Sequence, residues 1–433
     1  KQNRSDNNLN IKNSETNIVE NMQYDNLVLS LGASPVIPPI VGAQHLLTLR
    51  NIYDVDKLVK QIEIAKNTNN KAIIIGAGFI GLEVAENLVK QGLDVTIVEM
   101  APQVLPAMNP EMSSYVAQEL LDNNVTLELG VSVSTVEVDH VELSDGRRLE
   151  ADLVFASIGV RPEISIVKDA GIEIGTKGGV KVDAQLRTSI KNIYAAGDMV
   201  EKVDLLTGEA GLVALANLAN KQGRRAADSI HGIKYRNKSN NALGTAVVNV
   251  FDLTVAMTGA SSRRLQLSGR DFIPIHTHPN DHAGYYPGAK QMHIVTHIDP
   301  KTGEILGAQA LGPHDAVRKI DILATAITGG ITAIDLIDLE LAYAPQYGSA
   351  KDAINMIGYI AEGIINGDDK VISVDEIKDQ VILDVRKEEE FVDGSIPGAI
   401  NIELDQLRER HYELDINKEI VVLCQVGQRG HIA

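Results

Sequence analysis

The stretch Lys71–Met100, KAIIIGAGFIGLEVAENLVKQGLDVTIVEM, constrains this chain more than any other. It opens on the continuous apolar run Ala72–Ile75, which suits a strand buried on both faces. Gly76, Gly78 and Gly81 then give G-x-G-x-x-G directly after that strand. Apolar side chains at helical spacing run from Leu82 to Gln91, and Gly92 stands where a helix would stop. A second apolar strand, Asp94–Val98, leads into Glu99, about 20 residues past the glycines, where an acidic group accepts from a ribose 2′-hydroxyl. Each glycine has a physical task. Gly76 permits the tight turn, Gly78 lets the backbone approach a pyrophosphate, and Gly81 lets the helix pack close to the strand with its first N–H groups facing the anion. With strand, helix, second strand and acidic residue all in register, the stretch reads as a dinucleotide site. Glu99 repels a 2′-phosphate and no Lys or Arg follows before Arg147, so NADH is expected over NADPH.

A chain of 433 residues exceeds one hydrophobic core and suggests roughly three domains. With 58 acidic against 40 basic residues, a net charge of −18 argues against nucleic acid or any other polyanion as main partner. No apolar run approaches the length of a membrane span, and KQNRSDNNLN is no secretory leader. Cys424 is the one cysteine, which excludes an internal disulfide framework and fits a reducing cytoplasm.

Residues 1–22 are rich in Asn, Asp and Ser and predict exposed or frayed strands. Tyr24–Leu31 predicts a buried strand broken by Gly32 to Pro35, and residues 36–41 an extended connector. Helices are expected over Asp54–Lys66 and Pro110–Asn124, and short alternating strands over Val125–Leu149 with a turn at Ser144 to Gly146. Ala151–Gly159 is another buried strand ended by glycine, with Arg161-Pro162 behind it. It echoes Tyr24–Pro35 closely enough to suggest two equivalent crossings between domains.

Ile193–Asp198, IYAAGD, is an apolar strand running into Gly197-Asp198. A carboxylate there can hold a ribityl hydroxyl of a flavin where the backbone comes close, although a plain strand-to-turn Gly-Asp has the same appearance. The following stretch Leu212–Ile230, containing Ala216, predicts a helix whose N-terminal dipole would stabilise an anionic reduced flavin.

Taken in order, YDNLVLSLGASP, GAGFIGLEVAENL with Glu99, ADLVFASIGVRP, IYAAGD and LANKQGR resemble the pyridine nucleotide-disulfide oxidoreductases. The stretches HAGYYPGA (His282–Ala289) and LAYAPQYGSAKDAINMIGY (Leu341–Tyr359) resemble the subgroup of CoA-disulfide reductases and NADH oxidases. The resemblance covers roughly residues 20–365. It implies an α/β flavoprotein fold with two dinucleotide-binding domains, in which an FAD domain (residues 1–42 and 161–242) is interrupted by an NAD(P)H domain (43–160). An α+β dimerisation domain (243–370) follows. The implied cofactors are FAD and NADH, with NADPH possible, and the implied assembly is a homodimer.

Carried over residue by residue, the resemblance gives cofactor contacts to Gly76, Gly78, Gly81, Gly159, Gly197, Asp198 and Ala216. Phe79 and Ile80 would flank the pyrophosphate, Phe79 able to swing over the nicotinamide pocket, with Glu83 near the nicotinamide end and Glu99 on the adenine ribose. Tyr343 and Tyr347 would lie in a loop reaching over the partner subunit's active site, or else pack at the interface. Lys351 and Asn355, expected at i, i+4 on one helix, would touch CoA. The family's N-terminal strand, with its own G-x-G-x-x-G, and its redox cysteine are not in this sequence, which is therefore expected to be truncated at both ends.

VILDVR (Val381–Arg386), the acidic run Lys387–Glu390 and GSIPGAINI (Gly394–Ile402) resemble the opening of a rhodanese domain, and IVVLCQVGQRG (Ile420–Gly430) its active loop. A partial α/β rhodanese unit is expected over 371–433. Cys424 heads a C-x-x-G-x-R loop in which converging N–H groups and Arg429 would stabilise a thiolate that carries sulfane sulfur, a buried structural Cys being the other reading.

His276, His278, His282, His293 and His297 cluster in sequence, yet no acidic or cysteine partner shares their spacing, so no metal site is expected. His278, His282 and the pair Tyr285-Tyr286 are expected to face substrate or a dimer interface. The expected activity is FAD-dependent reduction of CoA disulfide or CoA persulfide by NAD(P)H, with sulfur handled at Cys424. An NADH oxidase or peroxidase is the alternative of the same class, and a non-catalytic NADH-responsive flavoprotein the alternative of another.

Overall fold

The computed structural model describes residues 7–233 and 240–433. Residues 1–6, at the start of the expected frayed strands, and 234–239, near the expected end of the second FAD segment, lie outside the described residues. The chain divides into two compact units, Lys1–Arg270 with Gly307–Ala324 and Asp271–Leu306 with Thr325–Ala433.

The first unit contains a four-stranded parallel sheet in the order Leu153–Ala156, Lys71–Ile75, Asp94–Glu99, Thr126–Leu129. Parallel strands must be covered on both faces, and Ala72 to Ile75 and Leu153 to Ala156 are all buried. Helix Phe79–Lys90 buries Leu82, Ala85 and Leu88, one face at helical spacing, and Gly92 at φ 86° follows its end. This helix starts three residues earlier than the apolar spacing predicts. Gly78 is still extended at φ −82° and ψ −177°, and its carbonyl accepts the first helical bond, from Leu82 N at 3.0 Å. Helix Ile52–Ala65 starts from a capping box in which Asn51 and Asp54 satisfy each other's backbone N–H. Helix Pro110–Asp122 begins with proline, whose missing N–H is no loss there.

Val133–Val136, His140–Leu143 and Arg148–Glu150 form the expected antiparallel set, turned at Gly146 with φ 88°. Strand Leu27–Leu29 pairs in parallel with Ile193–Ala195. Leu27, Leu29 and Leu31 pack on a core of Val167, Val180, Ile193, Ala195, Met199 and Val200. The two glycine-ended segments that echo one another in sequence pair directly, Ala33–Pro35 antiparallel to Val160–Pro162. Asn8–Lys12 and Val19–Gln23 make a hairpin that is mostly exposed. One expected element changes. The helix predicted from Leu212 begins at Ala216, because Ala210–Gly211 pairs with Lys202–Val203 and the chain remains extended through Leu215 (φ −132°, ψ 131°).

In the second unit, strands Ile273–Thr277 and His293–Ile298 form an antiparallel hairpin. Helix Ala353–Asn366 starts at Asp352, whose side chain accepts from Ile354 N at 3.0 Å, and ends at Gly367 with φ 81°. A three-stranded parallel sheet carries Val381–Asp384 between Ile400–Asn401 and Ile420–Leu423. Leu383, Val385 and Ile402 form its small core, against which Cys424 packs. No helix among the described residues is long and apolar enough to cross a membrane.

Close packing at the glycine turn sets a testable limit on side-chain size. A Cβ on Gly81 would lie 2.1 Å from Gly76 O and 2.6 Å from Ser157 Oγ. Gly81→Ala should therefore destabilise the first unit by about 1–3 kcal/mol, read as an earlier urea transition; an unshifted midpoint would mean that the backbone yields without cost.

Candidate functional site

The turn after strand Lys71–Ile75 is tied on every side. Gly76 sits at φ 102°, where a Cβ would also meet Ser157 O at 2.8 Å. Its N–H donates to Val98 O at 2.9 Å, and its carbonyl accepts from Ser157 Oγ at 2.9 Å. A Cβ on Gly78 would meet nothing within 4 Å, so this turn leaves open space above a helix N-terminus, which is where an anion is received. Phe79 is half-buried, while Ile80 and Glu83 are exposed on the first turns of the helix. Both oxygens of Glu99 accept backbone N–H groups, from Ala77 and from Ala101, each at 2.8 Å. The acid is thereby fixed in place at the strand end, each oxygen retaining lone-pair capacity. Gly159, at φ 111°, accepts from Val36 N at 2.9 Å where the two crossing strands meet.

Gly197 adopts φ 82°, and the turn it opens is closed by Val200 N donating to Gly197 O at 3.1 Å. Asp198 Oδ1 is buried with no hydrogen-bond partner, an uncommon state for a carboxylate oxygen. Around it lies a polar network that motif reading missed. Gln222 accepts from Gly197 N at 2.9 Å and donates to Asn240 Oδ1 at 3.0 Å, and Asn240 donates to Glu201 O at 2.8 Å. Lys202, 2% exposed, donates through Nζ to Gly197 O at 2.8 Å and Val200 O at 2.9 Å. The sequence signal for it is slight, a Glu201-Lys202 pair set between apolar residues in MVEKV.

In the second unit, Cys424 Sγ accepts from Gly427 N at 3.0 Å and Gly430 N at 3.3 Å. Gly427 stands at φ 88°, the left-handed conformation that turns its N–H inward. Arg429 departs from the expectation of a guanidinium directed at the sulfur. Nη1 and Nη2 each donate to a different oxygen of Glu390 at 2.7 Å, a bidentate pair from the acidic run to the loop. Those bonds hold Glu390 down at about 2, well below the ordinary 4.5, and raise Arg429 further. At the end of the central strand, buried Asp384 binds Arg386 through both oxygens and accepts from Ser395 at 2.7 Å.

The remaining candidates separate. His278 and His293 face each other across the hairpin, Nδ1 to Nδ1 at 2.8 Å, and burial, then the nearby His293 and His276, lower His278 to about 4. His297 is buried edge-on to Phe272, and His282 pairs with Asp281 at 2.8 Å and lies against Tyr286. Among the described residues no three His, Cys, Asp or Glu side chains are grouped to hold a metal. Tyr343 shares a hydrogen bond with Tyr285, hydroxyl to hydroxyl at 3.1 Å, which holds its phenol above the ordinary value, and Tyr347 is exposed. Lys351 precedes the helix instead of lying on it, since Asp352 caps Ala353–Asn366, so the expected i, i+4 pairing with Asn355 does not exist. Lys351 Nζ stands 5.3 Å over the Tyr359 ring. Asn355 Nδ2 is directed at the carbonyls of Leu336, Ile337 and Leu339 at 2.9, 3.2 and 3.0 Å, a structural task that takes its donors away from any ligand.

Comparison with known proteins gives three successive family matches. Residues 3–223 match the pyridine nucleotide-disulphide oxidoreductase family, residues 245–353 its dimerisation domain and residues 369–433 the rhodanese-like domain. A Methanocaldococcus jannaschii protein named NADH oxidase is 36% identical over 344 residues, covering 77% of this chain and 75% of the relative. The Coenzyme A disulfide reductase of Staphylococcus haemolyticus is 31% identical over 365 residues, covering 84% and 81%. Among solved structures, reduced CoADR-RHD of Bacillus anthracis superimposes with a TM-score of 0.95 at 40% identity, over 99% of this chain and 78% of that one. A NAD-dependent persulfide reductase from A. fulgidus gives 0.90 at 34%, over 99% and 79%.

The Glu390–Arg429 pair predicts an acid-sensitive loop. Because the folded-state value of Glu390 lies below its ordinary one, the pair's contribution is complete above pH 4.5 and is lost as pH falls towards 2. Glu390→Gln at neutral pH should reproduce that loss. The expected signal is faster amide exchange across Gly427–Gly430 after correction for intrinsic rates, and unchanged protection would show that Arg429 does not brace the loop.

Proposed function

The chain belongs to the pyridine nucleotide-disulphide oxidoreductase family, and from that premise we propose that it reduces a CoA disulfide or CoA persulfide with NADH and passes sulfane sulfur through Cys424. The net reactions are NADH + H⁺ + CoA-S-S-CoA → NAD⁺ + 2 CoA-SH, and NADH + H⁺ + CoA-S-SH → NAD⁺ + CoA-SH + H₂S. Members of this family bind FAD and NAD(P)H, and the residues here fit both groups. Bound flavin supplies the two-electron relay between nicotinamide and sulfur.

Gly76, Gly78 and Gly81 would receive the NADH pyrophosphate, since the space beside Gly78 is open and the helix N–H groups face it. Phe79 and Ile80 would border it, Glu83 would stand towards the nicotinamide, and Glu99 would accept from the adenine ribose while its charge excludes a 2′-phosphate. Asp198 would accept a ribityl hydroxyl of FAD, because its buried Oδ1 has a lone pair and no donor. Gly159, Gly197 and the helix start at Ala216 would complete that site. In a homodimer built on the dimerisation domain, Tyr343 would donate its proton-retaining hydroxyl to a CoA thiolate, with Tyr347 beside it. His278 and His282 would line that region, and the Lys351 cation would meet CoA phosphate. Domain divisions at 42, 160, 242 and 370 follow the same reading.

The observation that carries the sulfur-transfer half is Cys424 Sγ held by two convergent N–H donors in a chain that also holds a dinucleotide turn. Its thiolate would attack the outer sulfur of a donor R–S–S⁻, forming Cys–S–S⁻ and releasing R–S⁻. The N–H groups of Gly427 and Gly430, which donate to Sγ, would hold the attacking sulfur in place.

Two substitutions test the halves separately in the full-length protein. Cys424→Ser should abolish sulfur transfer from thiosulfate or a persulfide donor and leave NADH-dependent reduction of free CoA persulfide largely intact. If NADH oxidation stopped as well, the two centres would be one. Glu99→Gln should raise the KM for NADH about tenfold, the loss of roughly 1.5 kcal/mol from one charge-assisted bond, and narrow the preference over NADPH. NADH consumption with oxygen alone at the rate seen with CoA persulfide would instead favour an oxidase, as in the Methanocaldococcus relative's name.

A further inference from the structure

A lysine with 2% of its surface exposed is an expensive choice for a core position where methionine would fill the space. Lys202 is used in a specific way. Its Nζ takes the carbonyls of Gly197 and Val200, the first and last residues of the turn that presents Asp198, while Gln222 takes the N–H of Gly197 from the opposite side. The backbone of the turn is thus gripped at both polar groups of Gly197. Among the described residues Asp198 is also the one acid whose charge acts on Lys202, raising its affinity for a proton against the larger lowering by burial, the balance leaving Lys202 at about 8. The adjacent carboxylates are engaged elsewhere, Glu201 accepting from Lys177 N and Asp204 bound to Arg264.

We propose that Lys202 is a positioning residue for the flavin, locking the Gly197–Val200 turn and opposing the Asp198 charge so that its unpartnered oxygen stands ready for a ribityl hydroxyl. The proposal rests on the flavin reading under Proposed function. A bound flavin covers Asp198 and removes the water that shares its charge, so Lys202 holds its proton more tightly with flavin than without. Flavin affinity then depends on the protonation of Lys202 and falls as pH rises above about 8. The flavin-free protein behaves in the opposite sense. Its lysine releases a proton near 8 when folded but only near 10.5 when unfolded, so stability from this group rises with pH across that window. A loss of flavin above pH 8 is therefore not explained by unfolding at this position.

The test is FAD release from the full-length holoprotein on dilution, followed by free-flavin fluorescence from pH 7 to 9.5, for the wild type and Lys202→Met. In the wild type Kd should be flat to near pH 8 and then rise by up to about tenfold per pH unit. Lys202→Met, with folding checked by circular dichroism, should hold FAD at least about tenfold more weakly at pH 7 and show no such slope. A variant with the wild-type Kd, or a wild type with no slope, overturns the proposal, and the wild-type series decides even if the variant does not fold. Wild-type protein that retains no FAD at any pH sinks the flavin reading itself, whereas loss confined to Lys202→Met leaves that reading standing.

Discussion

A parallel pairing of three residues, Leu27–Leu29 beside Ile193–Ala195, is what the first unit depends on. It joins two segments separated by the whole parallel sheet, and it is bordered by bonds from Leu27 N to Asn192 O and Ala196 N to Leu29 O. Closing so long a loop costs entropy that three residue pairs cannot repay. The compensation comes from burial, since Leu27, Leu29 and Leu31 pack against the core of Val167, Val180, Met199 and Val200. The same pairing delivers Gly197 and Asp198 to the end of a buried strand, so the turn inherits its rigidity from contacts made far away in sequence.

Features written into short windows were legible, because one local constraint fixes each of them. The glycine turn needs Gly76 at positive φ and Gly81 without a Cβ, and both demands appear directly in the residue types. The pair of donors around Cys424 is of the same kind, as the hydrogen bonds to its sulfur come from no further than Gly430. What stayed hidden depends on a partner distant in sequence. Periodicity over Leu212–Ile230 cannot reveal that Gly211 is held in a ladder by Lys202, which delays the helix to Ala216. Arg429 looked like a companion of the sulfur alone, but Glu390, from another element, takes a hydrogen bond from each of its Nη1 and Nη2. Asn355 is spent on three carbonyls around Ile337, again a tertiary fact.

Electrostatic organisation differs between the two sites. The glycine turn presents backbone N–H groups at a helix start, with the Glu99 carboxylate held at the adjoining strand end. The loop at Cys424 also uses backbone donors, but it is braced by the side-chain ion pair Arg429–Glu390, and a second pair, Arg386–Asp384, lies at the end of the neighbouring strand. Backbone donors need no counter-ion and keep their direction at any pH, whereas the braces are only as durable as the ionisation of their acids.

Strands Ala33–Pro35 and Val160–Pro162 run antiparallel side by side, one leading the chain out of the Leu27–Leu29 pairing and the other bringing it back. An excursion whose departure and return share one doorway is a cassette. Its interior can lengthen, shorten or be exchanged for another fold while the host sees the same two neighbouring ends. Glu99 lies within the cassette and Asp198 outside it, in the host, so the two acids can change along a lineage independently of one another.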